Sequence, residues 1–167
     1  VIPYPAGLGS IEIWLEGYSV AEMREWLGIV RERLLDNFDI TAEMLTHTLA
    51  LNLETNAVIP SAEQEDWHKK QSFETLVPYI TRALQILRDA RLAPNGVTSP
   101  GAFGYTIEGD YARAVLEAEK RVNGRKVAWY FLHTEEASKI VMPRLMYMDR
   151  WKGEAVVSMV SCNDDWI

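Results

Sequence analysis

The stretch Asn95–Tyr105, which reads Asn-Gly-Val-Thr-Ser-Pro-Gly-Ala-Phe-Gly-Tyr, decides how the rest of the chain is interpreted. Its β-prone part, Gly96–Ser99, runs directly into a loop that holds Pro100, Gly101 and Gly104, and a helical pattern follows. A strand that ends in such a loop and leads into a helix is one half of a βαβ unit. In folds built from that unit, the ligand meets the carboxyl ends of the parallel strands.

Regular patterns flank this stretch on both sides. Before it, Phe73–Arg91 repeats apolar residues on one helical face, and Pro78 lies in the first turns or kinks the helix. After it, a helix capped by Asp110 is predicted to run through Val122 and to end at Gly124. The next segment, 126–132, is apolar at nearly every position, which predicts a strand buried on both faces of a parallel sheet.

The first part of the chain carries its own signals. Val1–Tyr4 reads as a short strand, and a capping box of Ser19 and Glu22 predicts a helix over 20–36. A buried strand is predicted in the later part of Phe38–His47, ending at the histidine.

The remaining segments complete an alternation of strands and helices. They are a loop over 48–60, a short helix over Trp67 and His68 behind a capping box of Ser61 and Gln64, a strand over 140–148 interrupted by Pro143, and a last strand over 155–160. The alternation predicts an α/β domain with a parallel sheet, and a barrel and an open doubly wound sheet both fit it. Because the first strand lacks a Gly-x-Gly-x-x-Gly sequence and no phosphate loop with a Lys occurs, nucleotide-binding open sheets are less favoured.

Length and composition set further bounds. A chain of 167 residues suits a single domain over 1–167, and its ends, with no initiator Met and no closing helix, lead us to expect a piece cut at both termini. The formal net charge of −7 argues against nucleic acid as a partner, since phosphate contact needs a basic surface. One cysteine allows no intrachain disulfide, and the sequence shows no signal peptide and no apolar run of membrane-spanning length. These features slightly favour the cytoplasm and predict no membrane partner.

Polar side chains collect where the predicted strands end, namely His47, Ser99, His133 and the run Cys162-Asn163-Asp164-Asp165-Trp166. Each histidine is either a locally hydrogen-bonded side chain or a metal ligand or general base, because neutral imidazole serves all three roles near pH 7. His68 lies in a charged run and is predicted to be at the surface.

The other members of this collection also allow two interpretations. Of Asp164 and Asp165, at most one faces a site on an extended chain, and the pair is either an acid/base or metal group or a solvated turn. Cys162 is a nucleophile only if a histidine lies beside it, and otherwise a small buried hydrophobe. The loop with Gly101 and Phe103 either admits a ligand close to the backbone or simply forms a tight turn.

Three segments in this order resemble motifs of the polysaccharide deacetylases, carbohydrate esterases built on a distorted β/α barrel. They are Glu43-Met44-Leu45-Thr46-His47-Thr48, Thr98-Ser99-Pro100-Gly101-Ala102-Phe103-Gly104 and Asn163-Asp164-Asp165-Trp166. The chain departs from the family pattern at Leu51, where a second metal-binding His would stand, and at Thr98 or Ser99, which replaces an Arg. The family's paired Asp motif would precede the region present here.

The resemblance implies a distorted or partial barrel and a hydrolase that removes acyl groups from carbohydrate with a divalent metal such as zinc. It implies His47 as metal ligand and catalytic base and Asp165 as a second catalytic residue. Substrate contacts would come from Ser99, Gly101, Phe103, His133 and Trp166. The alternatives are a barrel without activity that binds carbohydrate or another partner, which Leu51 favours, and a thiol hydrolase that uses Cys162.

Overall fold

The computed structural model describes residues 1–133 and 142–161. The helices are α1 (Val20–Arg33), α2 (Gln64–Trp67), α3 (Phe73–Asp89) and α4 (Glu108–Asn123), with 3-10 turns at His68–Lys70 and Tyr105–Ile107. The strands are β1 (Gly9–Ser10), β2 (Trp14–Leu15), β3 (Ile40–Glu43), β4 (Leu49–Asn52), β5 (Ala57–Glu63), β6 (Pro94–Thr98), β7 (Val127–His133), β8 (Arg144–Asp149) and β9 (Glu154–Ser161).

A five-stranded sheet in the order β3-β6-β7-β9-β8 organises the domain. The pairs β3/β6, β6/β7 and β7/β9 are parallel, and β8 lies antiparallel to β9. The α/β class with a mostly parallel sheet is therefore as predicted. The strands described here form an open sheet with β3 and β8 at its ends, so closure into a barrel stays a prediction.

Helices α3 and α4 cover one face of this sheet, and large buried side chains fill the contact between the helices and the strands. Val97 pairs with Tyr130 across β6 and β7, and the Tyr130 ring meets the ring of Tyr111 on α4 at 5.0 Å. The four residues expected on the inner face of α4 are all buried: Tyr111, Val115, Ala118 and Val122. The spacing of apolar residues in the sequence therefore predicted the buried face of α4 correctly.

The prediction that the strand over 126–132 is buried on both faces is wrong. Strand β7 is buried on the face beneath α4 but not equally on the other face. Val127 is 57% exposed, and Trp129 and Phe131 are only half-buried. A run of apolar residues predicts burial on both faces, whereas the helices of the described ranges cover one of them.

Local signals placed several helix ends correctly. In α1, the Ser19 N–H donates to Glu22 Oε2 at 2.8 Å and the Glu22 N–H donates to Ser19 Oγ at 3.2 Å, as the capping box requires, although the helix ends at Arg33 rather than at 36. Gly124 ends α4 in the left-handed region at φ 67°. Asp110 does not cap that helix, because α4 follows directly on the preceding 3-10 turn and begins at Glu108, three residues earlier than a helix capped by Asp110 would.

Four predictions for the first half of the chain are wrong. Residues 1–4 form no regular strand, although the Val1 ammonium donates to Thr41 O at 3.0 Å and Tyr4 N–H donates to Leu45 O at 2.8 Å beside β3. Strand β3 ends at Glu43, before His47. Residues 48–60 are not a loop, since β4 and β5 form an antiparallel hairpin. Ser61 lies inside β5 at φ 58° and caps no helix.

The hairpin and the later strands have plain local causes. Asn52 Oδ1 accepts the N–H groups of Glu54 and Thr55 at 2.9 and 3.1 Å, which closes the turn between β4 and β5. Strand β8 begins directly after Pro143, because proline has no N–H to give to the ladder. No helix in the described ranges is both long enough and apolar enough to cross a bilayer.

Candidate functional site

A cleft of about 300 Å³ opens at the carboxyl edge of the sheet, between the segments that follow β3 and β6. We call it the His47 cleft. Its lining residues are His47, Thr48, Glu63, Gln64, Glu65, Asp66, Pro100 and Gly101. The position agrees with the general rule that parallel sheets offer ligands the carboxyl ends of their strands.

His47 is held in this cleft by a carboxylate. Its backbone turns into the left-handed region at φ 72°, and its N–H donates to Met44 O at 3.0 Å. The Nδ1 atom lies 2.5 Å from Glu43 Oε1, and the imidazole is 49% exposed. A carboxylate on Nδ1 selects the tautomer that carries its proton there. The Nε2 atom is then the nitrogen available to a ligand or a reacting proton.

Glu43 is a site residue that sequence reasoning missed. It is the last residue of β3, four positions before His47. The spacing Glu43-x-x-x-His47 is visible in the sequence, but on an extended strand it would not bring the two side chains together. The turn that begins at Met44, with His47 in the left-handed region, brings the two side chains together.

The opposite wall of the cleft is acidic. Glu65 Oε1 accepts the N–H of Ala102 at 3.3 Å, and the carboxylate occupies the space that a Cβ at Gly101 would need, 1.6 Å from the same oxygen. Asp66 binds Lys69 Nζ at 2.7 Å, and this hydrogen bond and charge lower the pKa of the Asp66 carboxyl. Glycine at 101 therefore lets the wall from α2 close onto the loop after β6.

A buried polar network supports the cleft from behind. Gln64 Nε2 donates to Met44 O at 3.1 Å, and Gln64 Oε1 accepts the hydroxyl proton of Tyr79 at 3.0 Å. The same hydroxyl accepts the N–H of Leu51 at 3.1 Å. Burial raises the pKa of Tyr79 to about 12, so it remains a neutral donor. The loop after β3, the hairpin and α3 are thus tied together by satisfied hydrogen bonds.

His68 belongs to this network and is not at the surface as predicted. It is fully buried, its Nδ1 lies 3.2 Å from Gln64 O, and its Nε2 lies 3.1 Å from Thr106 Oγ1. Since a carbonyl only accepts, Nδ1 carries the proton and Nε2 accepts from the threonine. His68 therefore links α2 to the 3-10 turn that precedes α4.

Two predicted substrate contacts lie away from the His47 cleft. Ser99 is fully buried, and its Oγ shares a hydrogen bond of 2.8 Å with Tyr111 OH, whose pKa burial raises. Phe103 is also fully buried, with its ring 5.3 Å from His68 and 5.7 Å from Tyr111. Of the predicted residues, His47 and Gly101 border the cleft together.

The other predicted site residues stand at or beyond the end of the described ranges. His133 is the last residue of β7, beside Ser161 of β9, and its side chain is outside the description. Asp165 and Trp166 lie outside the described residues, as do Cys162 and Asp164.

The described residues do not complete the divalent metal site that the resemblance implies. His47 offers one nitrogen donor, but within 1–133 and 142–161 no group of three or more His, Cys, Asp or Glu side chains converges on a common point. Transition-metal sites usually take three or four protein ligands. The described part of the cleft therefore offers a metal ion fewer ligands than such a site needs.

Comparison with known proteins found no match to a family model, to a curated protein or to a solved structure.

Proposed function

We propose that the chain is a hydrolase of the polysaccharide deacetylase type that removes acyl groups from carbohydrate at the His47 cleft. The observation that carries the proposal is the pairing of His47 Nδ1 with Glu43 Oε1 at 2.5 Å beside an open cleft at the carboxyl edge of the sheet. The order of the three deacetylase-like motifs along the chain supports the choice of substrate class.

In the proposed reaction His47 is the general base. Its Nε2 takes a proton from a water molecule while the water oxygen attacks the acyl carbonyl carbon. The Glu43 carboxylate keeps its hydrogen bond to Nδ1–H and stabilises the imidazolium that forms. The imidazolium then gives the proton to the sugar oxygen or nitrogen as its bond to the acyl carbon breaks. The products are a carboxylic acid and the deacylated sugar.

Acetate release tests this assignment. The substrates are β-1,4-linked hexamers of N-acetylglucosamine and of acetylated xylose, and the variants are His47→Ala and Glu43→Gln. We expect His47→Ala to lower the rate by about 100-fold or more, since general bases contribute roughly that factor. Glu43→Gln should lower kcat while leaving KM nearly unchanged, because it acts through the histidine.

A matched control separates this effect from a general change of charge. Glu32 is exposed on α1, and Glu32→Gln removes the same charge without touching the cleft, so it should release acetate at the wild-type rate. Failure of the wild-type protein to release acetate from either hexamer, or an unchanged rate in His47→Ala, would sink the proposal.

One observation favours carbohydrate binding without catalysis as the second candidate. Leu51, four residues after His47, lies in the core at 2% exposure, and its N–H is bound to Tyr79 OH. A metal-binding side chain at position 51 could not reach the cleft without unpacking the hairpin. Hexamer binding that a chelator leaves unchanged, with no acetate released, would select this candidate.

A further inference from the structure

A second groove lies at the turn end of the β4–β5 hairpin, whereas the His47 cleft lies at the other end, and this groove combines aromatic with polar side chains. It encloses about 440 Å³, within the range of roughly 300–1,000 Å³ that small-molecule sites occupy. We call it the Trp14 groove. Its lining residues are Tyr4, Gly7, Leu8, Gly9, Trp14, Glu16, Asn56, Ala57 and Val58.

Each of the two aromatic side chains of this groove is anchored by a hydrogen bond to the backbone. Trp14 is 47% exposed, yet its Nε1 donates to Tyr18 O at 3.1 Å, and its strand pairs with β1 through Ser10. Tyr4 OH donates to Asn56 O at 2.9 Å, and Tyr4 N–H donates to Leu45 O. A large exposed aromatic ring that is fixed in place loses little entropy when it binds a ligand.

The polar side chains of the groove complement these rings. Glu16 and Asn56 are exposed, so a carboxylate and an amide stand beside the apolar surfaces of Trp14 and Tyr4. Stacking surface next to hydrogen-bonding groups suits a saccharide ring, which has apolar faces and a rim of hydroxyls. An apolar ligand would leave the carboxylate and amide without use.

The hairpin connects this groove to the His47 cleft. Ala57 at the start of β5 lines the groove, whereas Glu63 at its end lines the cleft. Seven strand residues span at most about 20 Å. One saccharide chain of several rings is long enough to occupy both sites.

We infer that the Trp14 groove binds a sugar ring of a polymeric carbohydrate whose acylated ring lies in the His47 cleft. The chemistry of the ligand rests on the proposed function. The consequence for specificity is a preference for chains over single sugars, because the second contact is made at high effective concentration once the first has formed.

Binding of the same two hexamers and of their monosaccharides, followed by calorimetric titration, tests the inference. The proteins are the wild type, Trp14→Ala, Trp14→Phe and the control Trp26→Ala, which removes an indole of similar exposure (41%) from α1. We expect each hexamer that binds to do so at least ten-fold more tightly than its monosaccharide. Trp14→Ala should remove that advantage, whereas Trp14→Phe and Trp26→Ala should keep most of it.

Including His47→Ala separates this test from that of the proposed function. That variant should keep the hexamer's advantage over its monosaccharide while releasing acetate at least about 100-fold more slowly, and Trp14→Ala should raise KM for the hexamer with little change in kcat. Equal hexamer affinity in Trp14→Ala and wild type, an equal loss in Trp26→Ala, or absence of hexamer binding at millimolar concentration would each overturn the inference.

Discussion

Removal of the Tyr79 hydroxyl is the sharpest test of how the cleft is supported. Tyr79→Phe keeps the ring, which is fully buried and packs on Trp67 with a centroid distance of 4.6 Å. It deletes the one atom that donates to Gln64 Oε1 and accepts from the Leu51 N–H. The variant therefore leaves a buried acceptor and a buried donor without this partner.

The magnitude follows from those two groups. A buried polar group that loses its partner costs about 1–3 kcal/mol, so with two such groups the free energy of unfolding should fall by about 2–6 kcal/mol. With a urea m-value of about 2 kcal/mol/M, the midpoint should move down by about 1–3 M while m stays constant. Equilibrium urea denaturation measures both quantities.

Tyr105→Phe is the matched control, since Tyr105 is 53% exposed at the surface. We expect it to change stability by less than about 0.5 kcal/mol. A double-mutant cycle of Tyr79→Phe with Gln64→Ala should show a coupling free energy of about 0.5–3 kcal/mol. If Tyr79→Phe unfolds at the same urea concentration as Tyr105→Phe, the supporting network contributes nothing measurable and our reasoning is refuted.

Three further outcomes test other parts of the structure. Burial lowers the pKa of His68 from its ordinary 6.5, so as the pH falls the unfolded chain takes up a proton at this residue before the folded chain does. The free energy of unfolding should therefore fall from pH 7.5 to 5.5, and it should fall less steeply in His68→Gln. Equal slopes would contradict this. Gly96→Ala should lower the free energy of unfolding by more than about 2 kcal/mol, because a Cβ at φ 87° would lie 2.7 Å from the Trp129 ring and 2.9 Å from the Trp129 carbonyl oxygen. Gly153→Ala, at φ 65° with open space around it, should lower it by only about 1 kcal/mol. Ser19→Ala should lower stability by about 1 kcal/mol in the same urea assay through loss of the α1 cap, and an unchanged midpoint would argue against the capping box.

The elements that the sequence predicted well are those whose signals are local. The capping box of α1, the apolar faces of α3 and α4 and the apolar run of β7 each lie within one segment. A helix or strand that buries a continuous face can be recognised from the spacing of its apolar residues alone. The α/β class followed because these segments alternate along the chain.

The errors arose where a contact between distant residues decides the local structure. Residues 48–60 carry loop-like composition, but pairing between β4 and β5 makes them a hairpin. Ser99 was expected to face a ligand, yet it follows the strand with its hydroxyl bound to Tyr111 in the core. Side-chain direction at a strand end depends on where the strand stops, and that is set by the neighbouring strands.

By itself the sequence determined the alternation of helices and strands and the buried faces of α3 and α4. Only the tertiary structure decided that Glu43 orients His47, that His68 is buried, and that Tyr4 and Trp14 line one groove. The physical reason is that helix period and capping are read within a few residues, whereas a site joins side chains that only folding brings together. Trp14 and Asn56, 42 positions apart in the chain, line one groove only because the chain folds.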